Sequence, residues 1–241
     1  MEIDKVLKEN AFLSMHPLIQ PIPKELITLP SIMRQYQGYI SAMVKFAAYN
    51  DETVSIEEEI SISIPSGYPI NLPYVFVLSH GNVVNLGAEY HFYTDTGQLC
   101  LGNSWEVRKK LLHDPTLNNL MTSLIIPHIA GATFKLLHGS AFPQGEYAHG
   151  IDGKLEGLAS FFSISKDVGV ILNILSFLSQ SKRVANKVQC PFGCGKEYKE
   201  CHCKGDFQDL KILFPQKEIS AILNEINIAK IRVLANHNLR D

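Results

Sequence analysis

The chain has 241 residues and a mass of 26.9 kDa, enough for one sizeable hydrophobic core and a small second unit. Its net charge of −2 and its pI near 6.5 give no reason to expect nucleic acid or an anionic membrane surface as a partner. Hydrophobic residues make up 46% and charged residues 19% of the chain, which is ordinary for a globular protein.

The sequence shows no pattern typical of a secretory signal or a membrane anchor. Its first segment, Met1–Lys8, is charged from the second residue onward, unlike a signal peptide. The most apolar stretch, Val168–Leu178, is shorter than the roughly 20 residues that span a bilayer. We therefore expect a cytoplasmic protein, in which clustered cysteines indicate a metal site and not disulfides.

Three strands are predicted in the first third of the chain. Apolar residues alternate with polar ones over Val54–Ile64, which predicts a strand with one buried face. The looser alternation over Ile40–Tyr49 predicts its hairpin partner. Two prolines within Pro65–Pro69 end the strand, because proline lacks the N–H that a ladder needs. Leu72–Leu78 then reads as a third short strand, so the order predicts an antiparallel meander.

Cys100 lies in a polar turn, Thr94–Gly102, far upstream of the four other cysteines. A thiol presented in this way is typical of a nucleophile, whose reactive thiolate must be reachable and partly desolvated. The alternative is a small buried hydrophobe, which is the commoner fate of a cysteine without a disulfide. The predicted elements that precede Cys100 favour the interpretation of this residue as a nucleophile.

The order of these elements resembles the catalytic core of ubiquitin-conjugating enzymes, and most of all the divergent bacterial members of that family. The resemblance covers roughly residues 1–165 and includes an N-terminal helix, the meander, and a helix-rich segment after the cysteine. It depends on Tyr68, Pro69, Pro73, Val75, His91, Gly97, Leu99, Cys100, Leu101 and Trp105. It implies an α+β fold in which Cys100 accepts an acyl C-terminus as a thioester and passes it to an amine.

One part of the family's pattern is missing. Its usual His-Pro-Asn triplet precedes the cysteine, and the matching stretch here is His91–Tyr93, without asparagine. His91 is the candidate replacement, since an imidazole titrating near neutrality can polarise the thioester carbonyl or accept a proton from the amine. The alternative is that His91 only braces the loop through a hydrogen bond.

The resemblance also implies partners. They are a ubiquitin-like modifier or another protein substrate. Whether an activating enzyme supplies the thioester stays open. Related bacterial enzymes occur in anti-phage operons with cyclic-nucleotide synthases, which makes such a synthase a candidate target. Two other functions stay open: a non-catalytic binding adaptor of the same fold, and a cysteine hydrolase that uses Cys100 with His91 or His149 to cleave an isopeptide or thioester.

Helices are predicted after Trp105. Asp114 and Pro115 form a helix start, and Pro127 predicts a kink or break in the helix that follows. Residues 155–181 carry apolar residues at helical spacing and predict one or two amphipathic helices. Pro215 opens a final amphipathic helix.

The remaining four cysteines predict a structural zinc site. Thiolates at such spacings converge on one tetrahedral Zn²⁺, and a segment this small has little core of its own to hold it. The segment resembles the SEC-C motif, with the second cysteine displaced from its usual position. The predicted ligands are Cys190, Cys194, Cys201 and either His202 or Cys203. The sequence thus predicts a catalytic domain over residues 1–181 and a zinc module with a C-terminal helix over 182–241.

Overall fold

The computed structural model describes residues 19–21, 34–46, 49, 51–78, 86–93, 96–139, 141–143, 145–200 and 207–238. Within these residues the protein combines an antiparallel sheet with helices, so the predicted α+β class is confirmed. The chain divides into two compact units, Met1–Glu146 and Tyr147–Asp241. The predicted N-terminal helix lies outside the described residues.

The first unit contains a sheet of six described strands, all paired antiparallel in the order β1-β2-β3-β4-β6-β5. The strands are β1 (Ile19–Pro21), β2 (Arg34–Phe46), β3 (Glu52–Ile64), β4 (Tyr74–Val77), β5 (Phe92–Tyr93) and β6 (Gln98–Leu99). The last two form a short hairpin that joins the meander where Gln98 pairs with Phe76 of β4.

The β2–β3 hairpin forms the centre of the sheet. Its register pairs all thirteen residues of each strand, from Arg34 with Ile64 to Phe46 with Glu52. Alternate residues of β3, among them Ile56, Ile60 and Ile62, are buried, as a period of two requires. The predicted strands are therefore confirmed, although β2 begins six residues earlier than its sequence pattern indicated.

Two helices follow Cys100 in the first unit, α1 (Ser104–His113) and α2 (Leu117–His138). The predicted start at Asp114 is wrong by two residues. Asp114 ends α1, and Thr116 caps α2 by accepting a hydrogen bond from the Asn119 amide at 3.1 Å. Pro127 does not end α2, because a π-helical turn over Met121–Ile125 precedes it and accommodates the bond that proline cannot donate.

Helix α2 packs against β2 and β3 as the core helix of the first unit. It is long and apolar enough to cross a membrane, which Val168–Leu178 is not. However, 56% of its most apolar window is buried, and Leu120, Ile125 and Ile129 are fully enclosed. A core helix of this kind has the same length and composition as a membrane span.

The second unit is built from helices. They are α3 (Gly150–Phe162), α4 (Val168–Ser179), α5 (Lys182–Ala185), α6 (Phe207–Leu213) and α7 (Gln216–Asn238). Helix α7 packs on α3 and α4, and α6 packs on α4. Phe161, Phe162 and Phe214 stack within 5.5 Å of one another at the centre, and Ile219, Ile222 and Ile226 bury the inner face of α7.

The predicted domain boundary lies between residues 181 and 182, whereas the two compact units divide between Glu146 and Tyr147. Helices α3 and α4 belong with the C-terminal unit, because their apolar faces pack on α7 and on each other. An amphipathic helix shows in sequence that it buries one face, but not which body covers that face. The predicted pair of helices within 155–181 is confirmed, as is the helix after Pro215.

Candidate active site

Cys100 directly follows the β5–β6 hairpin and precedes α1. Its backbone N–H donates to the carbonyl of His91 at 2.8 Å, which extends the hairpin pairing by one step. The turn closes through the Gly97 amide, which donates to the Tyr93 carbonyl at 2.7 Å. Gly97 has φ +69, a left-handed conformation that glycine adopts without steric cost. The Gly-x-x-Cys spacing thus positions the thiol immediately after a tight turn.

The thiol of Cys100 is half-buried and lines a groove of about 410 Å³. The groove lies between the hairpin, the start of α1 and the loop that joins β3 to β4. It is lined by Pro65, Ser66, Ile70, Asn71, Leu72, Pro73, Tyr74, Tyr93, Gln98, Leu99, Cys100, Leu101, Gly102, Ser104, Val107 and Arg108. A groove of this size admits an extended segment of chain next to the sulfur atom.

The wall opposite the hairpin is a compact turn held by side chains. Asn71 donates from Nδ2 to the Ser66 carbonyl at 2.7 Å. Arg108 of α1, which is 7% exposed, donates from Nε to the Ile70 carbonyl at 2.8 Å. The wall is therefore anchored to a helix and not only to its own backbone.

Tyr93 is the groove residue that interacts electrostatically with Cys100. Both side chains line the groove, and Tyr93 is 51% exposed. The negative charge of Cys100 first, and then burial, raise the pKa of Tyr93. The hydroxyl therefore stays protonated at neutral pH and can donate a hydrogen bond.

His91 contacts Cys100 through its backbone, while its imidazole lies in a separate cluster. Nε2 is 3.2 Å from Glu146 Oε2, and the other carboxylate oxygen is 3.1 Å from Lys135 Nζ. The ring packs edge-on against Phe142 at 4.9 Å. His91 is not among the groove-lining residues. The structure therefore favours the bracing role, and the predicted acid–base role stays a prediction.

His128 of α2 belongs to the same cluster, where its ring lies next to those of His91 and Phe142. Its ring centroid lies 6.1 Å from that of His91, the residue whose carbonyl accepts the hydrogen bond of the Cys100 amide. Its Nε2 is buried and has no hydrogen-bond partner among the described residues. Burial first, and then the neighbouring His91, lower the pKa of His128 to about 4. His128 is thus neutral at physiological pH.

Acidification should destabilise the protein through His128. Its pKa is about 4 in the folded state and about 6.5 in an unfolded chain, so the unfolded chain binds more protons between these values. Stability is then complete above about pH 6.5 and falls as pH drops towards about 4, by up to about 3 kcal/mol. Urea unfolding of the intact chain at several pH values measures this slope.

The matched variant is His128→Asn, which keeps a donor near the Nδ1 position and cannot titrate. It should flatten the slope between pH 4 and 6.5, whereas His113→Asn, at an exposed position, should leave the slope in place. An unchanged slope in His128→Asn would contradict the assignment.

His138 and His149 have structural settings in the two units. His138 pairs through Nε2 with Glu52 at 3.0 Å and stacks on Phe134 at 4.4 Å. His149 belongs to the second unit, where it is the N-cap residue of α3. Neither lines the Cys100 groove.

In the second unit, Cys190 and Cys194 lie on a hairpin turn. Cys190 is 6% exposed, and its N–H donates to the Lys196 carbonyl at 2.9 Å, next to a bridge between residues 189 and 197. Gly193 and Gly195 have φ +80 and +73, so the chain folds back sharply around Cys194. Cys201, His202 and Cys203 lie outside the described residues, and within the described ones no three metal-binding side chains converge.

This turn has more support than its sequence indicated. Tyr198 is 1% exposed and packs on Phe177 of α4 with ring centroids 4.6 Å apart. Phe192, at the tip, lies 5.8 Å from Phe162 of α3. The cysteine turn is therefore joined to the helical core of the second unit, which gives these residues support beyond that of their own segment.

Sequence reasoning missed Tyr93, Asn71 and Arg108 as parts of the site. Tyr93 had one available signal, since it lies where the asparagine of the family triplet is absent. Asn71 and Arg108 are distant in sequence, and only the fold brings them to the groove.

Comparison of the chain with protein-family models, with curated proteins and with solved structures found no match.

Proposed function

We propose that this chain is an acyl transferase of the ubiquitin-conjugating type, with Cys100 as its nucleophile. The observation that carries the proposal is a half-buried thiol that shares the lining of a groove of about 410 Å³ with Tyr93. A structural thiol would be packed in the core, as the side chain of Leu99 is at 2% exposure. A nucleophile must be reached by its substrate.

The order of elements supports the same proposal. The antiparallel meander β2–β4 is followed by the β5–β6 hairpin, the cysteine and α1, which is the order that the resemblance to ubiquitin-conjugating enzymes implies. We propose that the first unit has the fold of that family's core. For the second unit we propose a SEC-C-like zinc module, in which Cys190 and Cys194 on their glycine-flanked turn supply two of the four ligands.

The proposed reaction has two steps that exchange one acyl bond each time. The thiolate of Cys100 attacks the carbonyl carbon of a donor thioester, the new C–S bond forms, and the donor's thiolate leaves. A target amine then attacks the Cys100 thioester, loses one proton to a base or water, and expels the Cys100 thiolate. The first step requires an activating enzyme to supply the donor thioester.

The partners follow from this chemistry. The donor is the C-terminus of a modifier or of another protein, and the acceptor is an amine, most simply a lysine side chain. A cyclic-nucleotide synthase from an anti-phage operon remains the named candidate for the conjugated protein. The groove suits such a donor because it is open and bordered by exposed apolar side chains at Ile70, Tyr74 and Tyr93.

Cysteine hydrolysis is the second candidate that the sequence leaves open. The pairing of His91 with Glu146 at 3.2 Å resembles the pair that orients an imidazole in hydrolases, but this imidazole lies outside the Cys100 groove and does not favour hydrolysis over transfer. Hydrolysis and conjugation share the thioester and differ only in whether water or an amine attacks it. The product therefore separates the two functions.

The direct test is to incubate the full chain with synthetic peptide thioesters and to follow the mass of the intact protein. We expect a mass gain equal to the acyl group, mapped to Cys100 by peptide digestion and removed by excess thiol. Addition of a lysine derivative should then yield the amide. A non-catalytic adaptor would show no adduct, and a hydrolase would release the free acid at the same rate with and without lysine. Either result would overturn the proposal.

His91→Ala tests how this histidine acts. Because the imidazole lies outside the groove and braces the loop that holds Cys100, we expect transfer to slow by up to about 10²-fold through misplacement of the thiol. The slowing should be similar at every pH between 6 and 9 in single-turnover transfer.

Glu146→Gln is the matched variant, since it removes the charge that holds the imidazole and leaves His91 present. It should slow transfer in the same direction and less. If His91 is instead the general base, His91→Ala should remove the limb of the wild-type pH profile near neutrality. That result would restore the acid–base role predicted from the sequence.

A further inference from the structure

The register of the β5–β6 hairpin determines which side chain lies next to Cys100. Phe92 pairs with Leu99 and Tyr93 pairs with Gln98, and the Cys100 amide continues this pairing on the His91 carbonyl. Successive residues of a strand point to opposite faces. Phe92 and Leu99 are accordingly buried in the core, at 4% and 2% exposure.

Tyr93 and Cys100 consequently share the outer face of the hairpin. They are diagonal neighbours across the two strands, a relation in which Cβ atoms are about 7–8 Å apart or less and an aromatic side chain can reach its neighbour. Both side chains line the same groove. Their proximity therefore follows from the backbone pairing, and an aromatic side chain at position 93 can reach the thiol.

His91 cannot take this position, although it lies directly opposite Cys100. Its φ of +59 leaves the strand conformation, and its imidazole is held by Glu146 and packed on Phe142. The outer face next to the sulfur atom is thus left to Tyr93. An acyl-transfer site needs a donor at this place, because the carbonyl oxygen becomes negative when its carbon is attacked.

We infer that Tyr93 is a catalytic residue whose hydroxyl donates a hydrogen bond first to the Cys100 thiolate and then to the oxyanion formed on the substrate carbonyl. This inference rests on the proposed thioester chemistry of Cys100. It assigns to Tyr93 the donor role that an asparagine of the missing triplet would supply.

Tyr93 contributes only a hydrogen bond to this step and does not transfer its proton. As the amine nitrogen bonds to the carbonyl carbon, the C=O π pair moves to oxygen, and the phenol donates to that oxygen without losing its proton. The amine nitrogen passes one proton to a base or water. When the tetrahedral intermediate then collapses, the pair returns, the C–S bond breaks, and the sulfur leaves as the thiolate that accepts the same donor. Tyr93 ends each cycle protonated.

The test is Tyr93→Phe, which removes one oxygen atom and keeps the ring. We expect single-turnover transfer from acyl-Cys100 to a lysine derivative to slow by about 10²–10³-fold, the scale for losing one oxyanion donor. Tyr39→Phe is the matched control, because Tyr39 is exposed on the outer face of β2, and its hydroxyl bonds Glu57 outside the groove. It should transfer at the wild-type rate.

A second readout does not depend on the proposed function. Alkylation of Cys100 by iodoacetamide at one fixed pH, followed on the Cys100 peptide by mass spectrometry, reports the reactivity of the thiol. In Tyr93→Phe alkylation should slow by about threefold to tenfold, the equivalent of one lost hydrogen bond. Tyr39→Phe should be alkylated at the wild-type rate.

Together the two readouts separate the inference from the proposed function. Slower transfer together with slower alkylation supports the role of Tyr93. If Tyr93→Phe transfers and is alkylated at the wild-type rates, this role is overturned and the proposed function stands. If the wild-type protein forms no thioester, both the proposed function and the catalytic role are refuted, whatever the alkylation rates are.

Discussion

Cys100→Ala should abolish acyl transfer, with no adduct detectable on the intact protein after incubation with a peptide thioester. No other described residue of the groove is a thiol, and removal of the nucleophile ends covalent catalysis outright. The fold should survive, since Cys100 is only half-buried and its structural contact is a backbone hydrogen bond to His91. Far-ultraviolet circular dichroism and thermal unfolding verify that survival.

Cys100→Ser is the informative companion to the alanine variant. Serine keeps the shape of the side chain and can form an oxygen ester, which amines attack more slowly than a thioester. We expect either a trapped ester on residue 100 or no adduct, and in both cases no amide product. Transfer by Cys100→Ala at the wild-type rate would refute the assignment of Cys100.

The sheet was largely predictable from the sequence because its central strands are long and periodic. The alternation over Val54–Ile64 identified β3, and its neighbour followed from the hairpin order. The β5–β6 hairpin was not predicted. Each of its strands has two residues, too few for a period, and a single Phe76–Gln98 pair joins it to the meander.

The position of Cys100 after a tight turn was predictable from the sequence, and the residues around it were not. Cys100 stood out by its isolation and by the turn that precedes it. The placement of Tyr93 in the same groove depends on cross-strand register, which a two-residue strand does not specify in sequence. The position of the His91 imidazole depends on a left-handed backbone and on Glu146, 55 residues away, and neither has a local signal.

The helices show a similar division between local and long-range causes. Their apolar periodicity predicted α3, α4 and α7, while the boundary between the units depends on which faces pack together. The π-helical turn before Pro127 replaced the expected break because the flanking residues are buried on both sides, as at Leu124 and Ile129. Burial in a core outweighs the propensity of proline to end a helix.

Removal of metal should have the second large effect, confined to the Tyr147–Asp241 unit. We expect the purified protein to contain one zinc per chain, bound by Cys190, Cys194, Cys201 and either His202 or Cys203. Binding free energies of small zinc sites are on the order of 10–16 kcal/mol. The turn packs on the helices through Tyr198 on Phe177, so chelation should also lower the unfolding temperature of α3 and α4.

Elemental analysis, and hydrogen exchange before and after chelation, measure both effects. Protection should be lost around residues 188–200 and reduced in α3 and α4, while β2 and β3 keep theirs and Cys100 is still acylated. Cys194→Ser should lose the metal. Cys100→Ser, which replaces a thiol outside the proposed site, should retain one zinc per chain. His202→Ala and Cys203→Ser identify the fourth ligand by whichever lowers zinc affinity more. Protein without stoichiometric metal, or chelation that leaves residues 188–200 protected, would refute the zinc site, because the two described cysteines would then be held by packing alone.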